Sequence, residues 1–265
     1  MKKMDEKIIG IVGGMGPYTG LDLAAKVLDQ TNARGAAEQP SLVVMACPSW
    51  INDRTDYLVH RQGENPAVGI LDVIERLYGA GARVIGIPCN TAHAEEILAP
   101  VADGCAKRFA NMTLVDMLQE TGAFMKEFHP DISSAGLLCT LGSYKTNAYG
   151  AVLQDFGITV INPEGMQQQE VHQLIYDPGF GIKANPNRLV HITRTRIERV
   201  AIELKNAGAQ SIILGCTEIP LVIKEHYLAG LPVIDPTLSL ARGLLRKAAP
   251  GKLRPFPHES VETSI

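Results

Sequence analysis

The sequence predicts an α/β fold made of two pseudo-symmetric domains, each a parallel-sheet α/β sandwich. Three observations predict it. Short Val/Ile/Leu runs alternate with amphipathic segments, the runs are apolar almost throughout, and two stretches of the chain repeat at a nearly constant offset. Strand–helix alternation implies parallel strands joined by helical crossovers. Strands without polar alternation belong to sheets covered on both faces.

The strand candidates, in order, are "IIGIVGG" (8–14), "SLVVMAC" (41–47), "ARVIGIP" (82–88), "AGLLCT" (135–140), "GITVI" (157–161), "QSIILGC" (210–216) and "LPVID" (231–235). Between them the apolar period changes from two to three or four. Ala67, Ile70, Leu71, Ile74, Leu77 and Tyr78 share one face of a helix over 67–78, and Ile197, Val200, Ala201 and Leu204 do the same over 197–204. Each of these helices runs into a glycine, the residue that adopts a left-handed cap without strain.

The repeat lies in these segments. "YGAGARVIGIPCNTA" (78–92) matches "KNAGAQSIILGCTEI" (205–219), placing Cys89 and Cys216 at an offset of 127. Gly10, Gly16 and Tyr18 match Gly136, Gly142 and Tyr144 at an offset of 126. Two alignments with nearly one offset imply an internal duplication. The division expected is residues 1–115 with 234–265, carrying Cys89, and residues 116–233, carrying Cys216. Ligands of open parallel sheets sit beyond the carboxyl ends of the strands. Two such domains face to face place Cys89 and Cys216 across one interdomain cleft.

Composition narrows the function. The 265 residues are 46% hydrophobic and 20% charged with a net charge of −3, which argues against nucleic acid as a partner. "RTRIER" (194–199) reads as a solvated helix face. No apolar run approaches the ~18 residues of a membrane span. The opening "MKKMDEK" carries acids among its lysines and leads into a short strand, unlike a signal peptide. Five cysteines, an odd number, read as reduced thiols in the cytoplasm. Neither CxxC nor HExxH occurs, so no metal site is expected. "GIVGGMGP" lacks the Lys-Ser/Thr ending of a phosphate loop and the G-x-G-x-x-G of a dinucleotide site.

A cysteine four residues before His93 suggests a thiol nucleophile. Duplication argues otherwise, because a nucleophile needs no second thiol on an equivalent strand. Inversion at a carbon bearing an acidic C–H does need one. A base removes the proton from one face, an acid returns one to the other, and the roles exchange for the reverse reaction. A thiol of ordinary pKa ~8.5 suits both roles near neutral pH. His93 reads either as a group tuning Cys89 or as a solvent-exposed helix start. Cys47, Cys105 and Cys139 read as packing residues, and Asp53 as a solvated loop acid rather than an ion-pair partner of Arg54. Glu218, the carboxylate nearest Cys216 in sequence, is placed to tune that thiol or to bind an ammonium group.

At these residues the sequence resembles the aspartate/glutamate racemase family. The resemblance spans most of the chain and rests on "GIVGGMGP" (10–17), "PSWINDRTDYL" (48–58), "PCNTAH" (88–93), "CTLGSYKT" (139–146), "GIKAN" (181–185) and "GCTEIP" (215–220). It implies a two-domain enzyme that racemises acidic amino acids with a cysteine pair, Cys89 and Cys216, and without pyridoxal phosphate or metal. It further implies that Asn90, Thr91, Thr217 and Glu218 hold the α-amino and α-carboxylate groups, with Met15, Gly16, Thr140 and Thr146. Arg54 meets the side-chain carboxylate, as a bidentate guanidinium can, and Lys183 is a second basic candidate there. Many relatives carry proline where Asn52 stands and glycine where Asn185 stands. A homodimer is implied too. Hydantoin racemases, maleate isomerases and the single-cysteine arylmalonate decarboxylases share the scaffold and are the competing enzymes. A catalytically silent amino-acid binder would need neither cysteine.

Overall fold

Each predicted apolar run carries a strand. The computed structural model describes residues 6–186 and 191–256, so the charged opening at 1–5 and the end of the chain from 257 lie outside the described residues. The strands are β1 (Ile8–Gly13), β2 (Leu42–Ala46), β3 (Ala82–Gly86), β4 (Thr113–Val115), β5 (Ser134–Leu137), β6 (Thr159–Ile161), β7 (Ile212–Ile213), β8 (Tyr227–Leu228) and β9 (Leu231–Ile234). The short β4 and β8 were not among the expected strands.

The helices are α1 (Pro17–Asp29), α2 (Ala67–Gly79), α3 (Glu95–Arg108), α4 (Met117–Phe128), α5 (Leu141–Lys145), α6 (Ala148–Leu153), α7 (Met166–Tyr176), α8 (His191–Asn206), α9 (Ile219–Val222) and α10 (Pro236–Ala248). The expected helices over 67–78 and 197–204 are α2 and the second half of α8. Their glycine stops are Gly81 and Gly208, at φ +96° and +101°, conformations that residues with a Cβ rarely adopt. None of the described helices is long and apolar enough to cross a membrane.

The strands form two sheets, ordered β2-β1-β3-β4 and β6-β5-β7-β9-β8. All pairings are parallel except that of the edge strand β8 with β9. The first four strands of the two sheets therefore follow one topology, with β5, β6, β7 and β9 standing for β1, β2, β3 and β4.

Both sheets are covered on both faces. Around the first, Ile70, Ile74 and Leu77 of α2 and Ile97 of α3 pack with Val12 and Ile85. On its other side Leu23 of α1 and Leu240 and Leu244 of α10 pack with Ile9, Ile11 and Val84. Adjacent β1 residues thus point to opposite layers, as the pleat requires. Around the second sheet, Leu174 of α7 and Ile197, Val200 and Leu204 of α8 pack with Ile212. Leu118 and Met125 of α4 and Tyr149 and Leu153 of α6 cover Ala135, Leu137 and Ile213.

The repeat is also visible in packing. A Cβ built on Gly10 would come within 2.5 Å of Ile85 and 3.4 Å of Leu77, and one on Gly136 within 3.0 Å of Ile212 and 2.9 Å of Leu204. Ile85 and Ile212, like Leu77 and Leu204, are 127 residues apart. Each glycine admits the same two side chains at the same point of its sheet.

Candidate active site

The third strand of each topology ends in a cysteine. Cys89 follows β3 and opens a short turn of helix over Asn90–His93, and Cys216 follows β7 shortly before α9. Both thiols are unbridged and each residue is 5% exposed. Cys105 in α3 and Cys139 after β5 are buried among apolar side chains, and half-buried Cys47 packs against the same cluster as Cys105, as expected of all three.

The two cysteines have different neighbours. Cys216 Sγ donates to Glu218 Oε2 at 3.0 Å. Burial, and then the Glu218 charge, push the Cys216 thiol well above its ordinary range. The other Glu218 oxygen accepts from Gly16 N at 3.1 Å and faces Lys183 Nζ at 3.9 Å. Burial opposes the Lys183 charge, but Glu218 and Tyr176 outweigh it and hold the ammonium above its ordinary value. Its Nζ lies 4.0 Å from the centre of the Tyr176 ring, a cation–π contact.

Cys89 and Arg54 are electrostatic neighbours, and the Cys89 sulfur, when charged, favours the Arg54 guanidinium. That guanidinium is buried and donates to the carbonyls of Asn52 at 3.1 Å and Met15 at 3.4 Å, while its Nε meets no acceptor among the described residues. Burial disfavours its charge, yet Cys89, Asp53 and Tyr176 hold its pKa above the ordinary value. Asp53 is not the solvated acid expected. It accepts from Thr55 N and Asp56 N and from Tyr176 at 3.1 Å, and reaches Arg54 only at 4.0 Å. Burial raises its pKa, but Arg54 and Lys183 together bring it below 3.8.

A hydroxyl cluster joins the two halves. Thr91 Oγ1 lies 3.0 Å from both Thr140 Oγ1 and Ser143 Oγ. Thr217 donates to the Pro88 carbonyl at 3.2 Å, and Thr19 reaches the same oxygen at 3.3 Å. Gly142 permits this approach, since a Cβ there would come within 2.7 Å of the Thr91 methyl and 2.9 Å of Thr55 Oγ1. Thr146 is the expected site residue that the fold does not bring in. It is half-buried, and its hydroxyl donates to Gly142 O at 2.9 Å and Ser143 O at 3.3 Å within its own helical segment. Ser143, one turn earlier, is the residue of this segment whose hydroxyl meets Thr91.

His93 is buried, which rules out an exposed helix start. Its Nε2 accepts from the N–H of Met117, the first residue of α4, at 3.1 Å. Its Nδ1 must therefore carry the proton that meets the Cys89 carbonyl at 2.9 Å. Both ring nitrogens serve the backbone, and the imidazole ties the Cys89 turn to α4.

Asn52 and Asn185, the departures from the family pattern, tie their loops through side-chain amides. Asn52 donates to Glu64 O at 3.0 Å, and Asn185 to Gly179 O at 3.2 Å. A small cavity of roughly 100 Å³ opens beside Glu218 and Lys183, bordered by Gly16, Tyr18, Thr19 and Leu221. Among the described residues, no group of three or more His, Cys, Asp or Glu side chains converges as metal ligands would.

Sequence reasoning missed Thr19, Thr55, Ser143, Tyr149 and Tyr176. Thr55 and Ser143 lie inside quoted motifs but carry no signal of their own there, and all five arrive by the meeting of elements far apart in sequence.

Comparison with known proteins gives a consistent picture. The sequence model of the Asp/Glu/Hydantoin racemase family matches residues 12–244. The broad specificity amino-acid racemase RacX of Bacillus subtilis is 28% identical over 243 residues, covering 89% of this chain and 95% of the relative. The aspartate racemase of Picrophilus torridus superposes with a TM-score of 0.74 at 28% identity, over 93% of this chain and 95% of that one. An aspartate racemase homologue from Pyrococcus horikoshii shares the fold, with a TM-score of 0.68 at 22% identity over 92% and 99% of the two chains.

Proposed function

Because the chain belongs to the Asp/Glu/hydantoin racemase family, we propose that it racemises an acidic amino acid, aspartate or glutamate, through a thiol and a thiolate on opposite faces of the α-carbon. One of Cys89 and Cys216 takes the α-proton as thiolate. The other, as thiol, gives its proton to the opposite face. Each turnover exchanges their protonation states, so the same pair serves the reverse reaction.

The observation that carries this reading is the placement of two buried, unbridged cysteines after the equivalent strands β3 and β7, with Cys216 held by the Glu218 carboxylate at 3.0 Å and Cys89 in the electrostatic neighbourhood of Arg54. A hydroxyl next to Cys216 would leave its proton less firmly held; the Glu218 carboxylate keeps it on sulfur, ready for donation. In this proposal the Arg54 guanidinium, with an uncommitted Nε, receives the side-chain carboxylate. The threonine cluster and Asn90 receive the α-carboxylate, and Glu218, held by Gly16 N, attracts the α-ammonium while Lys183 balances its charge.

The α-proton is far less acidic than a thiol, and each pKa unit of mismatch costs ~1.4 kcal/mol. The retained ammonium and fixed donors around the carboxylate must supply that stabilisation, and they act most strongly in a water-poor site. The same proposal divides the chain at residues 1–115 with 234–265 and 116–233. Helix α10, packed on the first sheet, supports that return of the chain. It includes a cytoplasmic homodimer requiring no pyridoxal phosphate.

The test is incubation of the protein with L-aspartate and with L-glutamate in D₂O, without added cofactor. Loss of the α-proton signal together with appearance of the D-enantiomer is the expected result. Folded protein that exchanges neither α-proton refutes the assignment. The broad specificity of the Bacillus relative supports a wider substrate range as the second reading, so L-alanine and L-asparagine belong in the same panel.

A further inference from the structure

Tyr149 belongs to α6, on the second sheet, and is 1% exposed. Its hydroxyl lies 2.5 Å from Asn90 Oδ1, on the turn that follows β3 of the first sheet. An amide oxygen only accepts, so the phenol donates, and this bond fixes which way the Asn90 amide faces. The other end of the amide, Nδ2, is buried and has no acceptor among the described residues. Asn90 directly follows Cys89.

A buried N–H without an acceptor is costly, and an anionic oxygen placed against it relieves that cost. We propose that Tyr149 is a positioning residue for racemisation: by holding Asn90 Oδ1 it turns Nδ2 toward the substrate α-carboxylate, where negative charge gathers as the α-proton leaves. This inference rests on the racemase reading above.

Tyr149 is suited to the task. Burial, and then the nearby Cys139, push its hydroxyl well above the ordinary tyrosine range, so it stays a donor at any working pH. Its ring is locked among Leu118, Met125, Leu137 and Leu153. The bond also crosses from one half to the other, so the amide is set only when the two halves are together.

The experiment is a double-mutant cycle on α-proton exchange with L-aspartate in D₂O. Tyr149→Phe removes one oxygen and keeps the ring, so it preserves the core. Outright loss of a preorganised oxyanion-type donor lowers kcat by ~10²–10³. Loss of its orientation is expected to lower kcat/KM by about tenfold or more, chiefly through kcat. In an Asn90→Ala background the same substitution is expected to change nothing further, because its target is gone. A Tyr149 that only braced the fold would lower activity equally in both backgrounds. Equal losses, or a Tyr149→Phe protein as active as the parent, overturn the inference while leaving the racemase reading intact. A parent protein that exchanges no α-proton overturns that reading, and this inference with it.

Discussion

Replacing Arg54 by alanine isolates the recognition of the side-chain carboxylate. Arg54 is 5% exposed, and its guanidinium is held by the carbonyls of Asn52 and Met15 at 3.1 and 3.4 Å. Its geometry is therefore set before a ligand arrives. Truncating one partner of a buried, hydrogen-bonded charge pair costs ~2–5 kcal/mol. At ~1.4 kcal/mol per decade, kcat/KM for L-aspartate should fall by roughly 30-fold to a few thousand-fold. Asparagine has the same shape but no side-chain charge. A neutral hydrogen bond is worth only ~0.5–1.5 kcal/mol, so any turnover of asparagine should fall by no more than about tenfold. Preference for aspartate over asparagine should collapse. Chiral chromatography of both reactions gives the two ratios, and a denaturation curve shows that the variant is folded. A folded Arg54→Ala protein within threefold of the parent on aspartate would refute the assignment of Arg54.

Other outcomes follow from the same geometry. Glu218→Gln removes the charge that, after burial, raises Cys216, so the pH at which Cys216 becomes alkylated by iodoacetamide should move down; an unchanged or higher profile contradicts the Cys216–Glu218 coupling. Asp53 is held below 3.8 in the folded protein, so its contribution to stability is complete above that pH and is lost as pH falls through its folded value. Asp53→Asn should therefore be less stable than the parent at neutral pH, with the gap narrowing only below about 3.8; a gap that is the same at pH 3 and pH 7 argues against this linkage. His93→Ala strands the Met117 N–H, which costs ~1–3 kcal/mol when buried and unmet, while the Cys89 carbonyl keeps its bond from Ala92 N–H at 3.1 Å. A stability loss of about 1–3 kcal/mol by chemical denaturation is expected, and one under about 0.5 kcal/mol would mean that the imidazole is not the tie described.

What the sequence reveals and what it hides divides along the length scale of each contact. The strand–glycine–cysteine repeat is local, and its consequences emerge in the fold: matching strand order, matching left-handed glycines at 81 and 208, and Gly10 and Gly136 admitting equivalent side chains. Glu218 could be paired with Cys216 because the two residues are neighbours in the chain. Short β4 and β8 do not stand out in the sequence because, unlike the equally short β6 and β7, neither lies in a longer Val/Ile/Leu run. Thr146 shares a motif with Thr140 but lies one and a half helical turns further on, where its hydroxyl finds carbonyls of its own helical segment first. Tyr149, Tyr176 and Thr55 meet their partners across 59, 123 and 121 residues, distances at which no single-sequence pattern operates. Asp53 was misjudged for the same reason, since the tyrosine that buries it comes from α7.

The central claim is that two thiols share one proton-transfer cycle. Its most direct test is the rate of L-aspartate racemisation by Cys89→Ala and by Cys216→Ala, each shown to be folded. Racemisation that collapses in both variants is the predicted result. A variant of either cysteine that racemises at the parent rate contradicts the claim.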